Sequence, residues 1–556
     1  MAQSELDRDY DAGMAAITGP GGRVILDRDE LGRTIVTNFP ATLPLFFKTF
    51  CALNGPVEAV ITGEERLTFA ELDQISDRLA RGLVASGVGK GDRVGIAMRN
   101  CPAWILAYMA VLKAGAVATL FNGWWQPDEL EQALRLTGTK LVLADAPRAK
   151  RVAATCASCQ LVTIEIEKPA LEAFAELIDA GSDAVELPAV APDDDATILF
   201  TSGSTGEAKG ALSTHRAVTT AVYTYATALM VLRGILEAKG RPPTNPLKTL
   251  VVVPLFHVTG EVPVLLNSFV VSRGMVLLPK WDAGEALRLI EKEGITYFVG
   301  VPTMSLELIN HPDRDKYDLS TLTDIAAGGA PRPVSHVERL RHSFPDAQPA
   351  LGYGLTETNA VGCGNFWTNY PAKPASTGRP HAPFVELAIL GEGDRHLPPN
   401  QRGEIAIRSA ANIKCYWQNP EATAAGFTAD GYFRTGDIGY LDEDGYLFIV
   451  DRKKDIILRG GENISAAEVE AALYACEGVA EAAVFGVPDE RLGEIPVAIL
   501  HRREGSSIDE EGLRAFLSDR LAAFKVPARM IFTDAPLPRL GTGKIDRVAL
   551  KQQYAG

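Results

Sequence analysis

The sequence predicts an α/β protein of more than one domain, with mainly parallel sheets covered by helices. Three observations carry this. Apolar strand-like segments alternate with amphipathic, helix-spaced segments along most of the chain, the pattern that parallel sheets require. The 556 residues exceed the roughly 250–300 at which a single core stops growing. Near the C-terminal end a charged break, DRKKD at 451–455, separates two apolar strands. About 100 residues of renewed strand–helix alternation follow it, enough for a small separate domain. The expected division is therefore 1–450, a hinge at 451–455, and 456–556.

The first clear element is a helix over 67–88. Thr68 is placed to cap it, Glu71 completes a capping box, and Gly87 lies near its end. A strand in GDRVGIAM follows a turn. A buried helix over 104–114 leads to a strand over 117–120. The same pairing recurs at 128–136 with 141–144 and at 283–293 with 296–300. The spacings vary too much for a short-period repeat array. A Pro/Asp-rich loop, ELPAVAPDDD at 186–195, runs directly into a strand at 196–200.

Hydrophobic residues are 46% and charged residues 22%, a globular balance, and the formal charge is −15. That charge argues against a nucleic-acid partner, which needs a Lys/Arg surplus on some face. Any phosphate site must be built locally. The N-terminus lacks a basic region followed by an apolar one, so no secretory signal is expected. No apolar run of about 18 residues is read, so no transmembrane segment is expected. The longest candidate, 262–278, is interrupted by Asn267, Ser268, Ser272 and Arg273 and reads as a buried strand–helix segment. Seven cysteines in so long a chain point to a reducing, cytoplasmic setting. Cys156 and Cys159 form a lone CxxC, best read as two ordinary thiols.

The strongest chemical signal is TSGSTGEAK at Thr201–Lys209, followed by Gly210. A strand feeds a loop of small residues. Glycine permits close backbone approach, hydroxyls donate hydrogen bonds, and lysine adds a mobile charge, a combination suited to polyphosphate. It is not a Walker A loop, because Lys209 stands between Ala208 and Gly210. Taken alone, such a loop is also an ordinary flexible turn.

Seven further strings follow in order: PLFHVTG at 254–260, GGAP at 328–331, YGLTET at 353–358, GEI at 403–405, YFRTGDIG at 432–439, DRKKDIILRGGENI at 451–464 and LPRLGTGKIDR at 537–547. Together with the first, they make the chain resemble the adenylate-forming superfamily of acyl-CoA synthetases, luciferases and peptide-synthetase adenylation domains. The likeness covers nearly the whole chain, and is greatest to a free-standing fatty-acid–CoA ligase.

That resemblance implies a large N-terminal region of two α/β subdomains plus a distorted β-barrel, the barrel near 382–450, and a small mobile α+β C-terminal domain. It implies ATP, Mg²⁺ and coenzyme A as cofactors, and a carboxylic acid as substrate. The loop Thr201, Ser202, Gly203, Ser204, Thr205, Gly206 and Lys209 would hold the β- and γ-phosphates. Gly328, Gly329 and Ala330 would lie against adenine, with Tyr353 stacked on it between Gly352 and Gly354. Thr356 would contact the α-phosphate, Glu357 would hold Mg²⁺, and Asp437, with Arg452 beside it, would accept the ribose hydroxyls.

Lys544 would stabilise charge as the carboxylate attacks the α-phosphate. Rotation about Lys454 would then withdraw it and admit coenzyme A past Arg459, Gly460 and Gly461. His257 would be a gate or wall of the acyl pocket rather than a general base. Val258, Thr259, Val262, Gly300, Gly328, Gly354, Leu355 and Val361 would complete that pocket. Its small and apolar residues favour a medium- or long-chain fatty acid, with an aryl or hydroxycinnamic acid as the alternative. Loading of a carrier protein, and a catalytically silent nucleotide binder, are the competing readings. A homodimer is an open assembly state.

Overall fold

The computed structural model describes residues 3–156, 159–202, 208–329, 332, 334–452, 455–459, 462–489, 491–540 and 544–554. Two large sheets dominate it. The seven-stranded sheet has five parallel-paired strands, Asp195–Ser202, Val117–Leu120, Arg93–Ala97, Leu141–Asp145 and Gln160–Ile164, extended by antiparallel Ala208–Thr214 and Cys415–Tyr416. The nine-stranded sheet carries parallel strands Gln348–Gly354, Asp324–Ala327, Tyr297–Gly300, Lys248–Val251, Gly274–Leu277 and Glu58–Thr62 at its centre. The α/β expectation thus holds.

The local signals explain much of this. The helix Phe69–Ala85 starts at Thr68, and both halves of its capping box with Glu71 are formed. Helix Pro102–Lys113 is apolar almost all round, and every residue in it is buried, as such a helix must be. Its Lys113 ammonium lies 2.6 Å from both Asp73 and Asp77, so the buried charge is paired. Helix Ala283–Glu293 matches the expected bounds. Among the described residues one helix, His215–Ala238, is long and apolar enough to cross a membrane, a run not read from the sequence. Of its apolar window, 72% is buried inside the protein. The 262–278 segment forms a π-helix, Gly260–Leu266, then a short helix, Asn267–Val270, and a strand, Gly274–Leu277.

The region expected to form the barrel is a four-stranded antiparallel sheet, Glu386–Leu390, Gly403–Arg408, Phe433–Leu441 and Leu447–Arg452, with two register shifts. Beyond it, a five-stranded sheet carries Ile456–Arg459, Glu462–Ser465, Val479–Asp489, Gly493–Arg502 and Arg529–Thr533. This last sheet and its helices enclose their own core, which includes Ile457, Val469, Val484, Leu500 and Leu513. The Ser465 hydroxyl ties it back by donating to the Val450 carbonyl at 2.8 Å.

Candidate active site

Parallel strands gather their backbone ends at one edge, and the crevice beyond their carboxyl ends is the usual ligand site of such sheets. Here strands Lys248–Val251, Tyr297–Gly300 and Asp324–Ala327 end side by side. Just past them Val253, Pro254, Gly300, Val301, Gly328 and Gly329 line a cavity of about 20 Å³, which His257, Thr259 and Lys544 complete. That volume holds about one water molecule. Lys544 therefore stands at the strand ends of the N-terminal region although it belongs to the last hundred residues.

The glycines divide by what surrounds them. At Gly352 a Cβ would meet nothing within 4 Å, and at Gly328 only the Gly352 carbonyl at 3.7 Å. Gly329 has φ +73°, and its Cβ would lie 3.6 Å from Cε of Lys544. These three leave an open floor. Gly354 does not: a Cβ there would fall 2.0 Å from the Ala360 carbonyl oxygen. At Gly300 it would meet Met304 Sδ at 3.0 Å. Gly354 is thus held small by adjacent backbone and not by open space, whereas Gly300 lines the cavity beside the Met304 side chain.

Of the other expected pocket residues, His257 and Thr259 face the cavity. Val258, Val262 and Val361 are buried in the main core, and Leu355 packs against it. His257 Nδ1 accepts the Thr259 N–H at 3.3 Å. Burial, and then the Lys544 charge, push the His257 pKa down to about 3. A ring held neutral this firmly suits a wall better than a proton acceptor at neutral pH.

The phosphate-loop hairpin pairs Thr201 with Lys209 and Ser202 with Ala208. The Lys209 ammonium lies 5.2 Å from the centre of the Tyr416 ring. The Tyr416 hydroxyl donates to Glu357 Oε1 at 2.7 Å, and the Glu357 carbonyl accepts from the Ile413 N–H. The lysine of the loop and the expected metal carboxylate thus meet through one aromatic residue. Tyr416 carried no sequence signal. Strand Cys415–Tyr416 pairs with Ala211 and Leu212, which brings the ring there. Thr356 and Glu357 open a short 3-10 turn, Thr356–Thr358, straight after strand Gln348–Gly354. No group of three or more potential metal ligands occurs among the described residues. A single carboxylate, with phosphate oxygens supplying the other ligands, fits Mg²⁺ brought in with a nucleotide.

Asp437 is 5% exposed, and its Oδ2 accepts the Tyr353 hydroxyl at 2.7 Å. Burial, then the Asp437 charge, raise the Tyr353 pKa well above its usual value. Asp437 and Arg452 are cross-strand partners. Arg459 is set apart, in strand Ile456–Arg459, with its guanidinium donating to the Phe524 carbonyl at 2.9 Å. One further buried acid lies a turn beyond His257. Glu261 accepts the Tyr108 hydroxyl at 2.7 Å, and burial raises its pKa to about 7. Gly203, Ser204, Thr205, Gly206, Ala330, Lys454, Gly460 and Gly461, and the side chains of Ser202 and Arg452, lie outside the described residues.

Comparison with known proteins defines its class. A family model described as AMP-binding enzyme matches residues 47–417, and one described as AMP-binding enzyme C-terminal domain matches 468–544. A feruloyl-CoA synthase of Amycolatopsis sp. is 37% identical over 89% of this chain and 96% of its own. A long-chain-fatty-acid–CoA ligase of Bacillus subtilis is 34% identical over 88% and 90%. Among solved structures, MatB from Rhodopseudomonas palustris is 28% identical and covers 93% of this chain and 99% of its own. Its ATP-bound form superposes with a TM-score of 0.80 and its apo form with 0.71.

The chain belongs to the AMP-binding enzyme family, the adenylate-forming superfamily that its motifs resemble. It is an acid–thiol ligase of the AMP-forming acyl-CoA synthetase type, working with ATP and coenzyme A.

Proposed function

We propose that the enzyme activates a hydrophobic monocarboxylic acid, first as acyl-AMP and then as acyl-CoA, with medium- or long-chain fatty acids as its substrates. The observation that carries the reading is Lys544 in one cavity with His257, Gly328 and Gly329. A carboxylate docked there meets a cation, and the open glycine floor lets a nucleotide approach it closely. Lys544 then stabilises the charge that builds up as the carboxylate oxygen attacks the α-phosphate and pyrophosphate leaves. Lys209 and Thr201 hold the outgoing phosphates, Thr356 the α-phosphate, Asp437 the ribose, and Glu357 a magnesium ion that offsets phosphate charge.

The second half-reaction requires Lys544 to leave, so that the coenzyme A thiol can reach the acyl carbonyl past Arg459. We place the hinge at 451–455, between 1–450 and 456–556. The separate core of the last sheet supports this. The better match to the ATP-bound than to the apo form of MatB supports an adenylate-forming orientation for the arrangement described above.

Among the described residues lining the cavity, Lys544 is the only cation, and Val253, Pro254 and Val301 are apolar. Nothing there pairs a second carboxylate, which favours an acid with an apolar remainder. The fatty-acid ligase among the relatives agrees with this. The feruloyl-CoA synthase, and the narrowness of the cavity, favour a second reading as a hydroxycinnamate ligase.

Measuring kcat/KM for acyl-CoA formation with C4 to C16 acids and hydroxycinnamates separates the two. A fatty-acid tunnel gives about fourfold per CH₂, the worth of roughly 0.8 kcal/mol of burial, until overpacking stops the rise. A flat response among linear acids with a maximum on an aromatic acid selects the second reading.

A further inference from the structure

One wall of the Lys544 cavity is the segment that carries Val253, Pro254, His257 and Thr259. It leaves the nine-stranded sheet after Val251 and runs into the π-helix Gly260–Leu266. Its backbone groups therefore lack ladder partners, and buried ones must find others.

A single carboxamide supplies two of them. Asn100 follows strand Arg93–Ala97 of the other large sheet. Its Nδ2 donates to the Val253 carbonyl and its Oδ1 accepts the Leu255 N–H, each at 2.9 Å. The side chain thus spans Pro254 and does what a neighbouring strand would do. Tyr108, about two turns into the helix Pro102–Lys113, holds the far end. Its hydroxyl donates to Glu261 Oε1 at 2.7 Å, and its ring is stacked on Trp104 with centroids 5.3 Å apart. Asn100, Tyr108 and Glu261 are all buried.

Backbone bonds carry both anchors to His257. Its N–H donates to the Pro254 carbonyl at 3.1 Å, and its carbonyl accepts from Gly260 and Glu261 at 2.8 and 3.0 Å. A Cβ on Gly260 would fall 2.1 Å from the Pro254 carbonyl oxygen, so the loop closes on itself without slack. Displacing either end moves His257. Neither Asn100 nor Tyr108 lines the cavity, so each acts through the segment it holds.

We infer that Asn100 and Tyr108 are positioning residues for acid recognition: from one buried helix and its lead-in they clamp both ends of the segment that carries His257 and Thr259, and so set how the acid stands before Lys544. This rests on the cavity being the acid's site, as proposed above. A misplacement of about 1 Å can cost about 100-fold in rate, so the clamps matter although they touch no substrate. The phosphate hairpin, Tyr353 and Asp437 stand on other elements, which leaves nucleotide binding alone.

The test compares Asn100→Ala and Tyr108→Phe, which delete the two clamps, with Ile164→Ala, a core truncation in the edge strand Gln160–Ile164. Amide exchange, which needs no acid, should speed at least about tenfold at 257–261 in each clamp variant and not in Ile164→Ala. The acid is whichever of the C4 to C16 acids and hydroxycinnamates gives the highest kcat/KM. Its KM should rise about tenfold in each clamp variant, with the KM for ATP within about twofold, and the preference among acids should narrow. A merely structural residue lowers the melting temperature, as Ile164→Ala does, and leaves this split unmoved. If Asn100→Ala fails to fold, Tyr108→Phe decides alone. Unchanged exchange at 257–261, or KM for acid and ATP raised alike, overturns the assignment. Either result leaves the cavity as the acid's site so long as Lys544→Ala still slows acyl-AMP formation. Normal acyl-AMP formation in Lys544→Ala overturns that reading, and the clamps' role with it.

Discussion

A Cβ on Gly329 would lie 3.7 Å from the Lys544 ammonium, close enough for that charge to act on a group docked over the glycine floor. Lys544→Ala should slow acyl-AMP formation about 100-fold or more, the scale of losing one contact to developing charge. Thioester formation from supplied acyl-AMP should be largely spared if, as proposed, that step has Lys544 withdrawn. Pyrophosphate release and acyl-CoA formation measured separately give the answer, and equal loss in both would remove the role. Tyr416→Phe keeps the ring under Lys209 and deletes the donor to Glu357. The 9%-exposed Glu357 carboxylate then loses a fixed partner, worth about 1–3 kcal/mol. Pyrophosphate release should fall about tenfold, with a shifted Mg²⁺ titration and an unchanged second half-reaction. An unaltered Mg²⁺ titration would separate Tyr416 from the metal. The motifs that carry Lys544 and Glu357 were legible in the sequence as ordered strings. Tyr416 was not, since its position depends on a two-residue strand pairing with 211–212, about two hundred residues upstream.

Strand Gln348–Gly354 delivers Gly352, Tyr353 and Gly354 to the site, yet its glycines serve different ends. Gly354→Ala would drive a Cβ into the Ala360 backbone. The turn Thr356–Thr358 that carries Glu357 must then shift, at about 1–3 kcal/mol for such overpacking. The melting temperature should drop by several degrees and activity with it. Gly352→Ala meets open space, so its melting temperature should stay put while KM for ATP rises several-fold. Thermal melts beside ATP titrations of both variants check this, and equal stability loss in both would refute the distinction. Elements with a full set of local signals were legible. The capped helix Phe69–Ala85 and the periodic helix Ala283–Glu293 are examples. The π-helix Gly260–Leu266, with Pro263 inside it, was not, because a 3.6-residue period cannot register a wider turn. The valines at 258, 262 and 361 read as apolar, but which of them faces core and which faces substrate is set by packing.

Across the whole molecule, four histidines are kept neutral by burial. The His257 pKa is lowered to about 3, and those of His215, His336 and His381 to about 4. Hydrogen bonding agrees at two of them, since His215 Nδ1 accepts the Leu43 N–H and His257 Nδ1 accepts that of Thr259. In the unfolded chain each would protonate near 6.5. Between pH 6.5 and about 4 the unfolded state therefore binds more protons at these sites. By linkage, the stability they contribute is present above 6.5 and is lost as pH falls. Acids raised by burial work in the opposite sense. Burial raises Glu261 and Glu470 to about 7, so the folded state holds their protons where the unfolded state has released them, from about 4.5 to 7. The four histidines outnumber Glu261 and Glu470, so acid favours the unfolded state over pH 4.5 to 6.5, with the raised Asp324 and Glu65 narrowing the margin. Below about 4.5 these acids protonate in the unfolded chain as well, and their opposition ends. Paired carboxylates such as Asp193 on Arg216 and Asp92 on Lys140, held below their usual pKa, then add to the loss. The melting temperature should fall steadily from pH 7 to 5 and more steeply below 4.5. A curve that is flat or rising towards pH 5 would mean that the histidines are already protonated in the folded enzyme.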